Sequence, residues 1–269
     1  MSAASQAAAP GRVAVAGVTG RIGRHVAEVL SAAGHQVVAM SRASGVNLLT
    51  GDGLAAALSG VTCIIDVADA GSADEREATA FFSASAHHLQ AAGQRAGVRR
   101  IALVSIVGCD RFPSGYNAAK RAQELALLSG ALPVRILRSA PFHEFVPQVM
   151  TWDRRGEVCF VPEMTTRLVA ARTVAEALVK LALCPDPESA TPAGTEPIWE
   201  IAGPQVVSVV DKARLYVARR GEPLRIEVDL NDPDRDLNMN GALLPGAQAT
   251  LAGPTFEAWL ATLPPVTAP

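Results

Sequence analysis

Three side chains within one stretch of the chain could together move a proton. In SIVGCDRFPSGYNAAKRAQE, Tyr116 and Lys120 stand four residues apart, and Ser105 lies eleven positions before the tyrosine. Residues at i and i+4 share a helix face, and the alanine-rich run around Lys120 reads as helix. A free phenol has a pKa of about 10 and is a sluggish acid at neutral pH. A cation about 4 Å away, at an effective dielectric near 20, contributes roughly 4 kcal/mol, or about three pKa units before screening. That would bring the phenol into the range of general acid–base catalysis, and a nearby serine hydroxyl could orient a carbonyl. Ordinary roles stay open for each residue. Lys120 stands four before Glu124 and could be half of a surface pair, Tyr116 a packing aromatic, and Ser105 a strand-end residue bonded to backbone.

These side chains need a scaffold, and the chain supplies strands alternating with helices. The runs RVAVAGV, HQVVAMSR, VTCIIDVAD, RRIALVSIVG and LPVRILRSA read as strands, with a short strand-like piece at GVNLL counted among them. Helical patterns separate them: IGRHVAEVLSAAG, GDGLAAALSG, ATAFFSASAHHLQAAGQRAG and SGYNAAKRAQELALLSG. This alternation predicts an α/β protein with a doubly wound parallel sheet, whose ligand site lies beyond the carboxyl ends of the strands. After about residue 145 the rhythm changes. Helices are expected over TRLVAARTVAEALVKLAL, VVDKARLYVARRG and PTFEAWLATL, and strands over IWEIAGP and LRIEVDL. Phe256 and Trp259, three apart, should pack inward. This C-terminal portion reads as a small cover for the substrate side of the sheet.

The stretch GVTGRIG places Gly17, Gly20 and Gly23 directly between a strand and a helix, with Thr19, Arg21 and Ile22 interleaved. Small residues here let the backbone turn sharply and approach a pyrophosphate, while the helix N-terminus supplies free N–H groups. The second strand ends in Ser41-Arg42, and no Asp or Glu occurs between Glu28 and Asp52. An acidic residue there would bind a ribose 2′-hydroxyl, whereas arginine can pair with a 2′-phosphate. NADP is therefore expected over NAD, with a solvent-facing charge as the plain alternative for Arg42.

Taken together, GVTGRIG, Ser105 in LVSIVG, Tyr116 and Lys120 in YNAAK, and ILRSAPFHEF resemble the short-chain dehydrogenases/reductases of the atypical or extended kind, near the NmrA-like group. The resemblance covers residues 12 to 150 well and the rest loosely, through GPTFEAWL. It implies a single Rossmann-type domain over 11–262, with 141–195 and 204–262 covering the substrate and tails at 1–10 and 263–269. It implies Tyr116 as proton donor or acceptor, Ser105 steadying the carbonyl, and Lys120 holding the nicotinamide ribose while lowering the tyrosine pKa. Asn47 and Leu48 would lie near the adenine, Val67 and Ala68 near the pyrophosphate and ribose, and Pro141 near the nicotinamide. Such proteins often carry an asparagine where this chain has His88, so His88 is a candidate replacement in a proton relay and an equal candidate for a plain helix-face histidine. The expected activity is NADPH-dependent reduction of a ketone or other carbonyl, or oxidation of the alcohol. A non-catalytic NADP-sensing regulator of the NmrA-like kind is the alternative. A sugar-nucleotide epimerase or dehydratase would call for a larger substrate domain.

His143, in APFHEF after the sixth expected strand, is a candidate substrate contact or a loop histidine bonded to backbone. Trp152, with Met150, Phe160, Met164, Leu243 and Leu244, either lines an apolar substrate cleft or belongs to the core. His87 and His88 are adjacent and point about 100° apart on a helix, which makes no metal pair. The four cysteines are scattered without a C-x-x-C pair, so no zinc site and a reduced, cytoplasmic setting are expected. The net charge of -2 gives no basic field for nucleic acid or acidic lipid, and pairs such as Arg99-Arg100 read as solvated surface. MSAASQAAAP lacks the basic start and apolar run of a signal peptide, and no apolar run reaches the roughly 20 residues that span a bilayer.

Overall fold

Strands buried on both faces organise the first half of the chain. In the computed structural model, which describes residues 11–185 and 197–264, this half contains β1 (Arg12–Ala16), α1 (Arg21–Ala32), β2 (Gln36–Met40), α2 (Leu54–Ala57) and β3 (Cys63–Asp66). It continues with α3 (Glu75–Ala96), β4 (Arg100–Ile106), α4 (Gly115–Leu128) and β5 (Val134–Ser139). Next come α5 (Phe145–Val149), β6 (Asp153–Arg155), β7 (Val158–Pro162), β8 (Thr165–Thr166) and α6 (Ala171–Leu183). The last part holds β9 (Ile198–Ala202), β10 (Val207–Ser208), α7 (Val209–Arg220), β11 (Arg225–Asp229), α8 (Arg235–Met239), β12 (Thr250–Leu251) and α9 (Phe256–Leu260). The expected tail at 1–10, most of the proline-rich loop before β9, and residues 265–269 lie outside the described residues.

A parallel seven-stranded sheet runs in the order β12-β9-β5-β4-β3-β1-β2. β1 pairs with β2 on one side (Val13 opposite Val37) and with β3 on the other (Val13 opposite Cys63). The strand order reverses at β1, and such a switch point opens a crevice beyond the strand ends. Every residue of β3 and β5 is buried, as strands covered on both faces require. The helices between them follow their own signals. α1 buries Ile22, Gly23, Val26 and Leu30 at helical spacing. α3 starts at Asp74, whose carboxylate accepts the Glu77 N–H at 2.9 Å, and ends at Gly97 with φ +73.

The described chain forms two compact units. One takes the described parts of residues 1–104, 119–137 and 175–199; the other takes those of 105–118, 138–174 and 200–269. Each has its own core. Met40, Leu54, Ile64, Leu89, Leu103 and Leu127 fill the first, and Val149, Val161, Leu168, Val210, Phe256 and Leu260 the second. The second unit also holds a small sheet, β11-β7-β6, that the sequence pattern did not announce. β9 does return to the main sheet, as expected from IWEIAGP.

Two expectations need correcting. GVNLL is a turn and not a strand, because Asn47 Oδ1 accepts the Leu49 N–H at 3.0 Å and bends the backbone; LPVRILRSA is therefore the fifth strand. Arg100 is not solvated surface. It is 8% exposed and donates to the carbonyls of Ala182, at 3.4 Å, and Cys184. Arg135 joins it, donating to Leu181 and Cys184 at 2.7 Å each. Two guanidinium groups thus gather the carbonyl-rich end of α6, where the helix dipole favours positive charge. Cys63, buried beneath them, has its thiol pushed up to about 12 by burial, which leaves it inert.

A buried amide closes the turn between α4 and β5. Gln90 Nε2 donates to the Leu127 carbonyl at 2.6 Å, and its Oε1 accepts the Leu132 N–H at 2.9 Å. Replacing Gln90 with leucine strands these backbone groups away from water. Urea unfolding should then show a loss of about 2 kcal/mol with an unchanged slope.

Candidate functional site

The glycine turn sits where β1 and β3 end, in the first unit. Gly17 has φ +77, and a Cβ there would lie 2.7 Å from the Ala68 Cα. A Cβ on Gly23 would fall 2.1 Å from the Gly17 carbonyl oxygen. Both positions are therefore closed to any side chain. The turn is held by Gly17 N–H donating to Met40 O at 3.1 Å and Gly20 N–H to Gly17 O at 2.9 Å. Gly20 starts α1 without a side-chain cap, and no acidic residue occupies the first turn. Thr19 and Arg21 are exposed, whereas Ile22 and Gly23 are buried and anchor the helix. A helix start of this kind, behind a close-packed glycine turn and with no acidic residue in its first turn, has the donor chemistry that fits an anion such as a pyrophosphate.

The neighbouring turns complete that end of the unit. Ser41 and Ser44 form a reciprocal capping box, with Ser41 Oγ accepting the Ser44 N–H at 3.3 Å and Ser44 Oγ accepting the Ser41 N–H at 2.9 Å. Arg42 is exposed between them. Leu48 is buried, and its carbonyl accepts from His88 Nδ1 at 3.0 Å. A side chain at Gly51 would meet the His88 ring at 3.2 Å. His88 therefore anchors the 47–51 turn through this bond. Val67 and Ala68 are buried, their N–H groups bonded to Ala16 O and Asp66 Oδ1, each at 3.0 Å.

Lys120 is only 4% exposed. Its Nζ donates to Gln123 Oε1 at 2.5 Å and to Val104 O at 3.0 Å, and it lies 4.7 Å from the centre of the Phe82 ring. Gln123 Nε2 in turn donates to Asp66 Oδ2 at 3.0 Å. Asp66 has no exposure, and burial raises its pKa against the lowering effects of the Ala68 N–H, Lys120 and Gln123. Neither Lys120 nor Glu124 lies at the surface, and Glu124 accepts from Arg121 at 2.9 Å. Sequence reasoning missed Asp66 and Gln123. The available signal was an acid inside the apolar run CIID, together with an amide one turn beyond the lysine.

The second unit carries the remaining candidates. Ser105, at the end of β4, is 3% exposed, with its Oγ 3.9 Å from Cys109 Sγ. Tyr116 is the second residue of α4, half-buried, and follows Gly115 with φ +75. The Pro141 carbonyl accepts the Val169 N–H at 3.1 Å. His143 is a loop histidine bonded to backbone. It is 1% exposed, its Nε2 donates to Pro254 O at 3.1 Å, and its ring packs 5.5 Å from Phe256 and 5.4 Å from Trp259. Phe256 and Trp259 pack inward as expected. Met150, Met164 and Leu243 are core residues, while Trp152 is 59% exposed and stands edge-on to Phe145. Among the described residues no cluster could hold a metal and no helix is long and apolar enough to cross a membrane.

Comparison with known proteins follows this geometry. Residues 13–103 match the NAD dependent epimerase/dehydratase family. A short-chain dehydrogenase/reductase superfamily protein from Agrobacterium tumefaciens with bound NAD is 18% identical, with TM-score 0.58 over 94% of this chain and 91% of that one. The shared fold is a Rossmann-type α/β fold. Other structures sharing it are MoeE5 in complex with UDP-glucuronic acid and NAD (19% identity, TM-score 0.69, 94% and 97% covered) and the NADPH-dependent quinone oxidoreductase QOR2 of Escherichia coli complexed with NADPH (17%, 0.62, 93% and 98%). No curated protein sequence matches significantly.

The buried imidazole gives this Rossmann-type fold a pH signature. Burial holds the His143 pKa below the ordinary 6.5, outweighing the Pro254 carbonyl, Glu144 and Glu257, which raise it; Lys212 adds to the lowering. The folded ring stays neutral where the unfolded chain binds a proton, so stability is lost as pH falls below about 6.5. His143→Phe should flatten that decline in urea midpoints measured across the acidic range.

Proposed function

We propose that this protein is an NADP-dependent oxidoreductase that reduces a ketone or related carbonyl, or runs the reverse oxidation, with Tyr116 as its proton carrier. The observation that carries the proposal is the placing of a buried ammonium, Lys120, one helical turn after a half-buried phenol on α4. Bound along the glycine turn, a reduced nicotinamide supplies the hydride. The chain's own residues do the rest. The opening amides of α1, with Gly17, Thr19, Gly20 and Arg21, receive the pyrophosphate. Arg42 takes the 2′-phosphate in a charge-assisted pair. Asn47 and Leu48 flank the adenine, and Val67, Ala68 and Pro141 flank the ribose and nicotinamide. Lys120 holds the ribose and stabilises the phenolate, Tyr116 delivers the proton to the carbonyl oxygen, and Ser105 donates a hydrogen bond to the same oxygen. Exposed Trp152 supports an apolar, aromatic or polycyclic substrate.

A nucleotide-sugar epimerase or dehydratase is the second reading, favoured by the family match over residues 13–103. Loss of NADPH absorbance with a panel of ketones and quinones, beside turnover of UDP-sugars with NAD, separates the two. Binding of NADPH without turnover on any panel would instead favour the non-catalytic, NmrA-like sensor.

Tyr116→Phe should cut turnover by about 10²- to 10⁴-fold while leaving NADPH affinity unchanged; undiminished turnover would exclude Tyr116 as the acid. Arg42→Ala should weaken NADPH binding about tenfold, equivalent to about 1.4 kcal/mol, and leave NADH binding as it was. The chain has two tyrosines, so in a Tyr216→Phe background the ultraviolet titration reads Tyr116 alone. Lys120→Met should move that titration upward.

A further inference from the structure

Asp66, Gln123 and Lys120 form a chain of carboxylate, amide and ammonium, sealed from solvent at 0%, 0% and 4% exposure. The amide has one permissible orientation. Its oxygen faces the ammonium at 2.5 Å and its NH₂ faces the carboxylate at 3.0 Å, and turning it over would set donors against the ammonium and lone pairs against the carboxylate. Asp66 accepts through both oxygens, one from Gln123 and one from the Ala68 N–H. Ala68 is the residue against which the Gly17 turn closes. One carboxylate thus braces both the backing of the glycine turn and, through the amide, the ammonium.

We infer that Asp66 and Gln123 are positioning residues, which hold the Lys120 ammonium charged and fixed beside the dinucleotide turn. This inference deepens the proposed function and rests on it for the purpose of the ammonium. The relay itself rests on geometry alone. Phe82 from α3 and the Val104 carbonyl from β4 touch Nζ without formal charge, while Asp66 on β3 is coupled to the ammonium electrostatically and through Gln123; on α4, Tyr116 precedes it by one turn and Arg121 donates to Glu124. An ammonium in such surroundings loses its proton readily unless an anion compensates it.

The chain has three lysines, Lys120, Lys180 and Lys212, so nuclear magnetic resonance of protein labelled with [13Cε]lysine can titrate Lys120 directly, assigned by Lys120→Arg. No substrate or cofactor is needed. Asp66→Asn should lower the Lys120 midpoint by about one pH unit or more, and Gln123→Glu, which sets a carboxylate against the ammonium, should raise it. Midpoints that do not move in either variant would overturn the inference. Should Asp66→Asn fail to fold, Gln123→Glu, of nearly equal volume, decides alone in the same way. NADPH affinity, followed by fluorescence, adds a separate arm. In Asp66→Asn it should fall as pH rises through the lowered midpoint, with wild-type affinity flat over that interval and with Gln123→Glu retaining affinity to higher pH. Shifted midpoints without any change in NADPH affinity would leave the relay standing and remove Lys120 from the cofactor, so the two failures are distinguishable.

Discussion

A carboxylate sealed from water must be matched by donors, and the first unit is arranged around that requirement at the end of β3. Asp66 has no exposure, yet it accepts a backbone N–H from Ala68 and an amide N–H from Gln123. Leaving either oxygen unmatched would cost several kcal/mol. The match dictates where Val67 and Ala68 run, and their course leaves room for glycine alone at position 17. The place where α1 starts follows from that close approach, because Gly23 in its first turn packs against the Gly17 carbonyl with no room for a side chain. Electrostatics at one residue and steric exclusion at another therefore specify the same corner of the sheet.

Charge compensation recurs elsewhere in the first unit. Arg100 and Arg135 are buried, but each is surrounded by carbonyl oxygens at the end of α6. Gln90 does the same for the turn before β5 with a neutral group. The second unit relies more on apolar contact. His143 is stacked among Phe256 and Trp259 with a single carbonyl partner for its Nε2, and its Nδ1 has no hydrogen-bond partner among the described residues. That difference explains why an acid-sensitive group sits in the second unit while the buried charges of the first are internally balanced.

The doubly wound sheet was legible because its signals are periodic and local. Apolar runs such as CIID and RIALV can be buried strands only if helices cover both faces, and Gly17, Gly20 and Gly23 fall between strand and helix. The turn at 45–49 was misread as strand because valine and leucine there are anchored by Asn47 and by His88, which is 40 residues distant from Leu48 in the chain. The small sheet β11-β7-β6 joins β7 to a strand 67 positions further along the chain (Val158 opposite Arg225), and short strands give no period to detect. Asp66 and Gln123 went unnoticed for a similar reason. Their partnership exists only across 57 positions of chain, and neither residue type is diagnostic alone. His88 and His143 attracted attention by chemistry, but contacts made in the folded chain turned them into anchors.

The turn that displays Arg42 is built entirely from its neighbours. Ser41 and Ser44 close it by capping each other, Ser44 also donates to the Ala39 carbonyl at 2.9 Å, and Gly45 ends it with φ +79. None of these bonds uses the arginine side chain. Loop and side chain are consequently separable at this position: drift or design can exchange the exposed residue at 42 without rebuilding the loop that presents it, so on the proposed reading of Arg42 coenzyme choice is open to change in a single step.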